Sequence, residues 1–86
     1  MAERPRSIVH EHEFERELRA LVEGAEAADE FVAAAKFLLS YDPEIGSRTD
    51  DVAVWCLPMN VISGAEVWLF YSFDEETVWL RAIHAF

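Results

Sequence analysis

The spacing of apolar positions changes along the chain, and each change marks a different element. Ser7-Ile-Val-His10 is a short β-branched run and reads as an opening strand. From Glu13 the period lengthens. Phe14, Leu18, Leu21 and Val22 recur at i, i+4, i+7 and i+8, one face of a helix, while Glu13, Glu15, Arg16, Glu17 and Arg19 face outward. Glu15 and Arg19 stand four apart in the favourable order for an ion pair. Acidic residues crowd the first turn, as the helix dipole prefers, and Gly24 marks the end. A second helix carries Ala28, Phe31, Val32, Ala35, Leu38 and Leu39 as its buried stripe. It stops at Ser40-Tyr-Asp-Pro43, because Pro43 disfavours a helical conformation at Asp42. So short a connection between the helices predicts an antiparallel hairpin.

Residues 42–51 are rich in turn formers and read as a loop. Three strands fit the remainder. Val52 to about Leu57 is the first, expected to end where Pro58 removes a ladder donor. Asn60 to Gly64 makes the connection, with Ser63-Gly64 as its turn signal. Glu66–Phe73 is apolar on both alternating faces, the mark of a central strand covered on both sides. Asp74-Glu-Glu76 turns the chain, and Thr77–His84 is the last strand. The order β-α-α-β-β-β predicts an α+β fold, a small and mainly antiparallel sheet with a helical hairpin packed on one face. Residues 1–6, with Pro5 and mixed charge, are expected as a loose N-terminus ahead of a single domain over 7–86.

Composition narrows the functional classes. Hydrophobic residues make up 52% of the chain and aromatics 13%, enough to exclude disorder and to build a core without disulfide or metal. Cys56 is the single cysteine, and its neighbours Trp55 and Leu57 make it a small buried hydrophobe rather than a reactive thiol. No apolar run approaches the roughly 20 residues of a membrane span, and no signal-peptide pattern precedes the first strand. The expectation is a cytoplasmic protein.

Seventeen acidic residues against seven basic give a net charge of −10. Nucleic-acid binding draws its affinity from Lys and Arg on phosphates. Here Lys36 is the lone lysine, and Arg16, Arg19, Arg48 and Arg81 are scattered. Direct binding of RNA or DNA is therefore disfavoured. The acidity reads first as a solubility device and second as attraction toward a basic partner.

Few residues offer chemistry. His10 and His12 would share a face on a strand, but no third ligand stands at a metal-site spacing, so no metal or cofactor is expected. Asp50-Asp51 and Asp74-Glu-Glu76 lack the alternating oxygens of a calcium loop and read as solvated turns. Arg48 and Arg81 read as surface charges. The aromatics are different in kind. Trp68 and Phe70 cannot share a face with Leu69 and Tyr71, so one set packs under the helices and the other needs a loop, a second copy or a partner over it.

The hydrophobic phrases resemble the RelE/ParE toxin superfamily of bacterial toxin–antitoxin systems. They are Leu38-Leu-Ser-Tyr-Asp-Pro-Glu-Ile-Gly46 at the end of the second helix, Trp55 on the next strand, Val67-Trp-Leu-Phe-Tyr-Ser-Phe-Asp74, and Val78-Trp-Leu-Arg-Ala-Ile-His84. The resemblance covers residues 7–86. It implies one of two activities, cleavage of mRNA in the ribosomal decoding site or poisoning of DNA gyrase, each held in check by an antitoxin that wraps the toxin. The chain departs from the nuclease pattern: Glu66, Val67 and Trp68 stand where the family often has Arg, Ala85 follows the closing His, and Phe86 has no hydroxyl. The leading expectation is a RelE/ParE-like protein that acts by protein–protein binding without nuclease activity. Trp68, Phe70 and Trp79 would meet an antitoxin-type partner and a gyrase-like target. One alternative is a divergent ribosome-dependent endoribonuclease with His84 and Arg81 in acid–base and phosphate roles. Another is a non-toxic homodimeric scaffold.

Overall fold

The computed structural model describes residues 5–51, 53–60 and 66–85. In chain order the elements are β1 (Ser7–His10), α1 (His12–Leu21), α2 (Ala25–Tyr41), a 3₁₀ turn (Pro43–Ile45), β2 (Ser47–Arg48), β3 (Trp55–Asn60), β4 (Glu66–Phe73) and β5 (Thr77–Ala85). The strands form one mixed sheet in the order β1-β5-β4-β3-β2. β1 runs parallel to β5, and the chain between them passes through both helices and then β2, β3 and β4 before it returns beside β1. The remaining pairs are antiparallel. The α+β class and the order of the main elements agree with the sequence reading.

The core explains the order. Phe14 and Leu18 of α1, Val22 just past its end, and Phe31, Ala35 and Leu39 from α2 close over Val67, Leu69, Tyr71, Val78, Leu80 and Ile83 of the sheet. On β4 the buried residues alternate strictly, whereas on β5 Leu80 and Ile83 are both buried although three apart. A bulge resolves this. Tyr71 pairs with Leu80 and Phe70 with Ala82, so Arg81 is an extra residue on β5 that resets the alternation.

Tyr71 is the central strut. Its hydroxyl donates to the Pro43 carbonyl at 2.5 Å and accepts the Gly46 N–H at 3.1 Å, fastening the turn after α2 to the middle of the sheet. Burial pushes the phenol up to about 12. Gly46 is required for space: a Cβ there would lie 2.5 Å from both the Tyr71 hydroxyl and the Cys56 carbonyl. At the other end of β4, Asp74 caps the hairpin. Its Oδ1 accepts the N–H groups of Glu76 and Thr77, each at 2.8 Å. Those two bonds hold its carboxyl below the usual carboxylate range. Arg6, which the sequence places in the terminal segment, is bound here through Nε to the Asp74 carbonyl at 2.7 Å and through its own N–H to Ser40 at 2.8 Å.

The structure corrects the sequence reading at several points. β3 runs through Pro58 to Asn60 instead of ending before it. β2 pairs only with Trp55 and Cys56, so past that point β3 is an edge strand among the described residues, where a missing donor is tolerated. The supposed loop contains the 3₁₀ turn and β2, which makes five strands rather than four. Its neighbour Val52 and the turn signal Ser63-Gly64 lie outside the described residues. α1 stops at Leu21, which is 38% exposed, and Val22 enters the core from extended backbone. Glu15 approaches His10 at 3.6 Å rather than Arg19, and the ion pair on the outer face joins Glu13 to Arg16 at 3.0 Å.

The helices also sit differently from a tight hairpin. α1 packs along β5, while α2 lies against β1, β5 and the 3₁₀ turn. Gly24, with φ 85°, makes the corner between them. A cleft of about 700 Å³ separates their facing sides.

Candidate protein-binding face

The pleat places the candidate residues on the side of the sheet opposite the helices. Val67, Leu69 and Tyr71 fill the core, so Trp68, Phe70 and Ser72 turn the other way. Register then adds their cross-strand partners. Trp68 faces His84 on β5 and Pro58 on β3; Phe70 faces Ala82 and Cys56; Ser72 faces Trp79, which in turn neighbours Val9 of β1. Trp68, Phe70 and Trp79 are each half-buried on this face, which no described helix covers. All three proposed contact residues therefore share one surface, and the bulge at Arg81 keeps Trp79 and His84 on the same side of β5. Trp55 goes elsewhere: it packs beside Phe73 at the core's margin, 5.3 Å between ring centres, under the Arg48 guanidinium at 5.5 Å.

Glutamates guard the rim. β1 pairs with β5 only as far as Leu80, which leaves the outer edge of β5 open from Arg81 onward. α1 covers that gap. Glu17 accepts the Ile83 N–H through Oε1 at 3.1 Å, and its Oε2 stands 3.1 Å from His84 Nε2. The His84 ring tilts against Phe70 with centroids 5.2 Å apart. Glu11 stands 3.4 Å from Arg81 Nε, and Arg81 Nη1 reaches Ser72 Oγ at 3.4 Å. Glu66, two residues before Trp68, lies exposed on the same face. His84 and Arg81, the residues of the enzymatic alternative, both lie on the part of β5 beyond its pairing with β1, and each has a carboxylate beside it.

The other cations are dispersed. Arg6 lies over Phe73 at 5.8 Å, Arg48 over Trp55, and Arg16 beside Glu13. Arg19 and Lys36 line the cleft between the helices, as do Glu15 and Asp29. His10 stands at that cleft with Nδ1 toward Glu15, and its buried Nε2 has no hydrogen-bond partner among the described residues. His10 ends β1 and His12 opens α1, so the two do not share a strand face as the sequence suggested. Among the described residues no group of three metal-ligating side chains comes together. No described helix is long and apolar enough to cross a membrane.

The sequence missed the cleft, because its lining depends on the angle between two helices and not on periodicity within either. It also missed Glu17, whose role comes from the early end of β1. No protein-family model and no curated protein matches the chain.

Proposed function

We propose that this protein is a binding protein of RelE/ParE-like design, which meets an antitoxin-type partner through the open face of its sheet and does not cleave RNA. The observation that carries the reading is the alignment of Trp68, Phe70 and Trp79 on the surface away from the helices. Aromatic side chains supply large contact area at low entropic cost and dominate interface energetics. The opening strand, two helices and closing strands follow the order that the resemblance implies.

Electrostatics favour binding over nuclease chemistry. A phosphate in its transition state needs donors and cations that are free to meet it. One approaching Arg81 or His84 meets Glu11 and Glu17 at the same point. A chain of net charge −10 also repels ribosomal RNA and attracts a basic protein surface. A gyrase-like target remains part of this proposal, because a contact-dependent poison needs no nuclease residues.

The test is partner binding by Trp68→Ala and Trp79→Ala variants with unchanged melting temperature. Loss of the complex in both supports the reading, and retention in both overturns it. The endoribonuclease reading has one observation in its favour, the placement of His84 and Arg81 three residues apart on the part of β5 that lies beyond its pairing with β1. Mapping of mRNA ends on ribosomes after induced expression decides it. Cleavage that disappears in His84→Ala would replace the binding reading with the enzymatic one.

A further inference from the structure

A second surface lies on the far side of the molecule. Helix α2 buries Phe31, Ala35 and Leu39, and the residues diametrically opposite form a continuous outward stripe: Glu26, Glu30, Ala34, Phe37 and Tyr41. At 3.6 residues per turn these five fall within roughly a quarter of the circumference. All are exposed, and Phe37 and Tyr41 are exposed to 75% and 53%. The side chains of Glu26, Glu30, Phe37 and Tyr41 make no ion pair, hydrogen bond or ring contact with the described residues. The stripe has a sequence along its length: two acids, a small residue, two aromatics. Isolated exposed hydrophobes are ordinary, but an aromatic pair one turn apart on a long helix is a patch.

We infer that this stripe is a docking ridge for a basic amphipathic helix of another protein. Charge selects the occupant. Every charged residue on the stripe is acidic, Asp42 and Glu44 continue the acidity past its aromatic end, and Lys36 points off it toward the cleft. A second copy of the chain is a poor occupant. Parallel pairing sets Glu26 and Glu30 against themselves, antiparallel pairing sets both aromatics against acids, and each copy brings a net charge of −10. A helix with arginines or lysines at one end of a face and aliphatic side chains at the other matches the ridge in both register and sign. From Glu26 to Tyr41 the ridge spans about 22 Å, the length of four helical turns. Ala34 at its centre permits close approach of the partner's backbone. This surface is separate from the open sheet face, and either can be occupied without the other.

The experiment is an amide chemical-shift titration of the whole chain with an 18-residue helical peptide. One half of the peptide's contact face carries leucines and the other half arginines. The expected result is perturbation concentrated on the outward residues of α2, at least ~10-fold weaker binding for Phe37→Ser/Tyr41→Ser, and a flatter salt dependence for Glu26→Gln/Glu30→Gln. These positions are exposed, so the variants should keep the wild-type spectrum elsewhere. Three results would overturn the inference: unchanged affinity in the double serine variant, perturbations spread over all acidic surfaces, or concentration-dependent α2 shifts without peptide, which would identify a second copy as the occupant.

Discussion

The carboxylate of Glu17 joins α1 to the exposed end of β5, with one oxygen 3.1 Å from the Ile83 nitrogen and the other 3.1 Å from His84 Nε2. It does there what a neighbouring strand would otherwise do, occupying a donor that β1 is too short to reach. Glu17→Gln keeps an acceptor for Ile83 and should change stability little, because an ion pair with an exposed histidine contributes little. Glu17→Ala leaves the Ile83 donor without a protein acceptor and should cost about 1 kcal/mol. Chemical denaturation of the two variants checks the difference. Equal losses would mean that the charge, not the strand-edge bond, is what matters.

Tyr71 and Gly46 form a second test. Tyr71→Phe leaves the Gly46 N–H and the Pro43 carbonyl without their partner and should cost about 1–3 kcal/mol. Gly46→Ala should also destabilise, since its Cβ meets a backbone carbonyl as well as the phenol. The phenol gives this site a pH signature. Its value rises from 10.0 to about 12 on folding, so its neutral form contributes fully below pH 10 and that contribution is lost as pH rises through 12. Unfolding midpoints between pH 8 and pH 12 should therefore fall more steeply in wild type than in Tyr71→Phe.

At the β4–β5 turn the sign is opposite. The Asp74 carboxyl is held low by the Glu76 and Thr77 N–H groups, so its ionised form supports the hairpin above its ordinary range. That support is lost as pH falls through the lowered value. Asp74→Ala should melt earlier than wild type at pH 7, and the gap should close on acidification. A gap that persists in strong acid would show that the carboxylate's charge is not the source.

Much of the fold was legible in the sequence because periodicity carries it. Phe14 and Leu18, then Phe31, Ala35 and Leu39, declare their helical faces, and Val67, Leu69 and Tyr71 declare theirs by strict alternation. The division of Trp68 and Phe70 from Leu69 and Tyr71 follows from the pleat alone. What escaped depends on relations between elements. The bulge at Arg81 is invisible in composition, Pro58 sits where β3 has no further strand beside it among the described residues, and the cleft is lined by residues of both helices. Phe37 and Tyr41 were passed over for a simpler reason: a hydrophobic residue off the buried stripe reads as noise until its exposure is seen.

The central claim is that the open face meets protein. Site-specific photocrosslinking tests it most directly, with a photoreactive phenylalanine at position 70 and, as control, at the exposed turn position 75, in bacteria expressing the whole chain. The account expects a discrete protein adduct from position 70, weakened by Trp79→Ala and absent from position 75. RNA in the adduct, or no protein adduct that depends on the face, would contradict it.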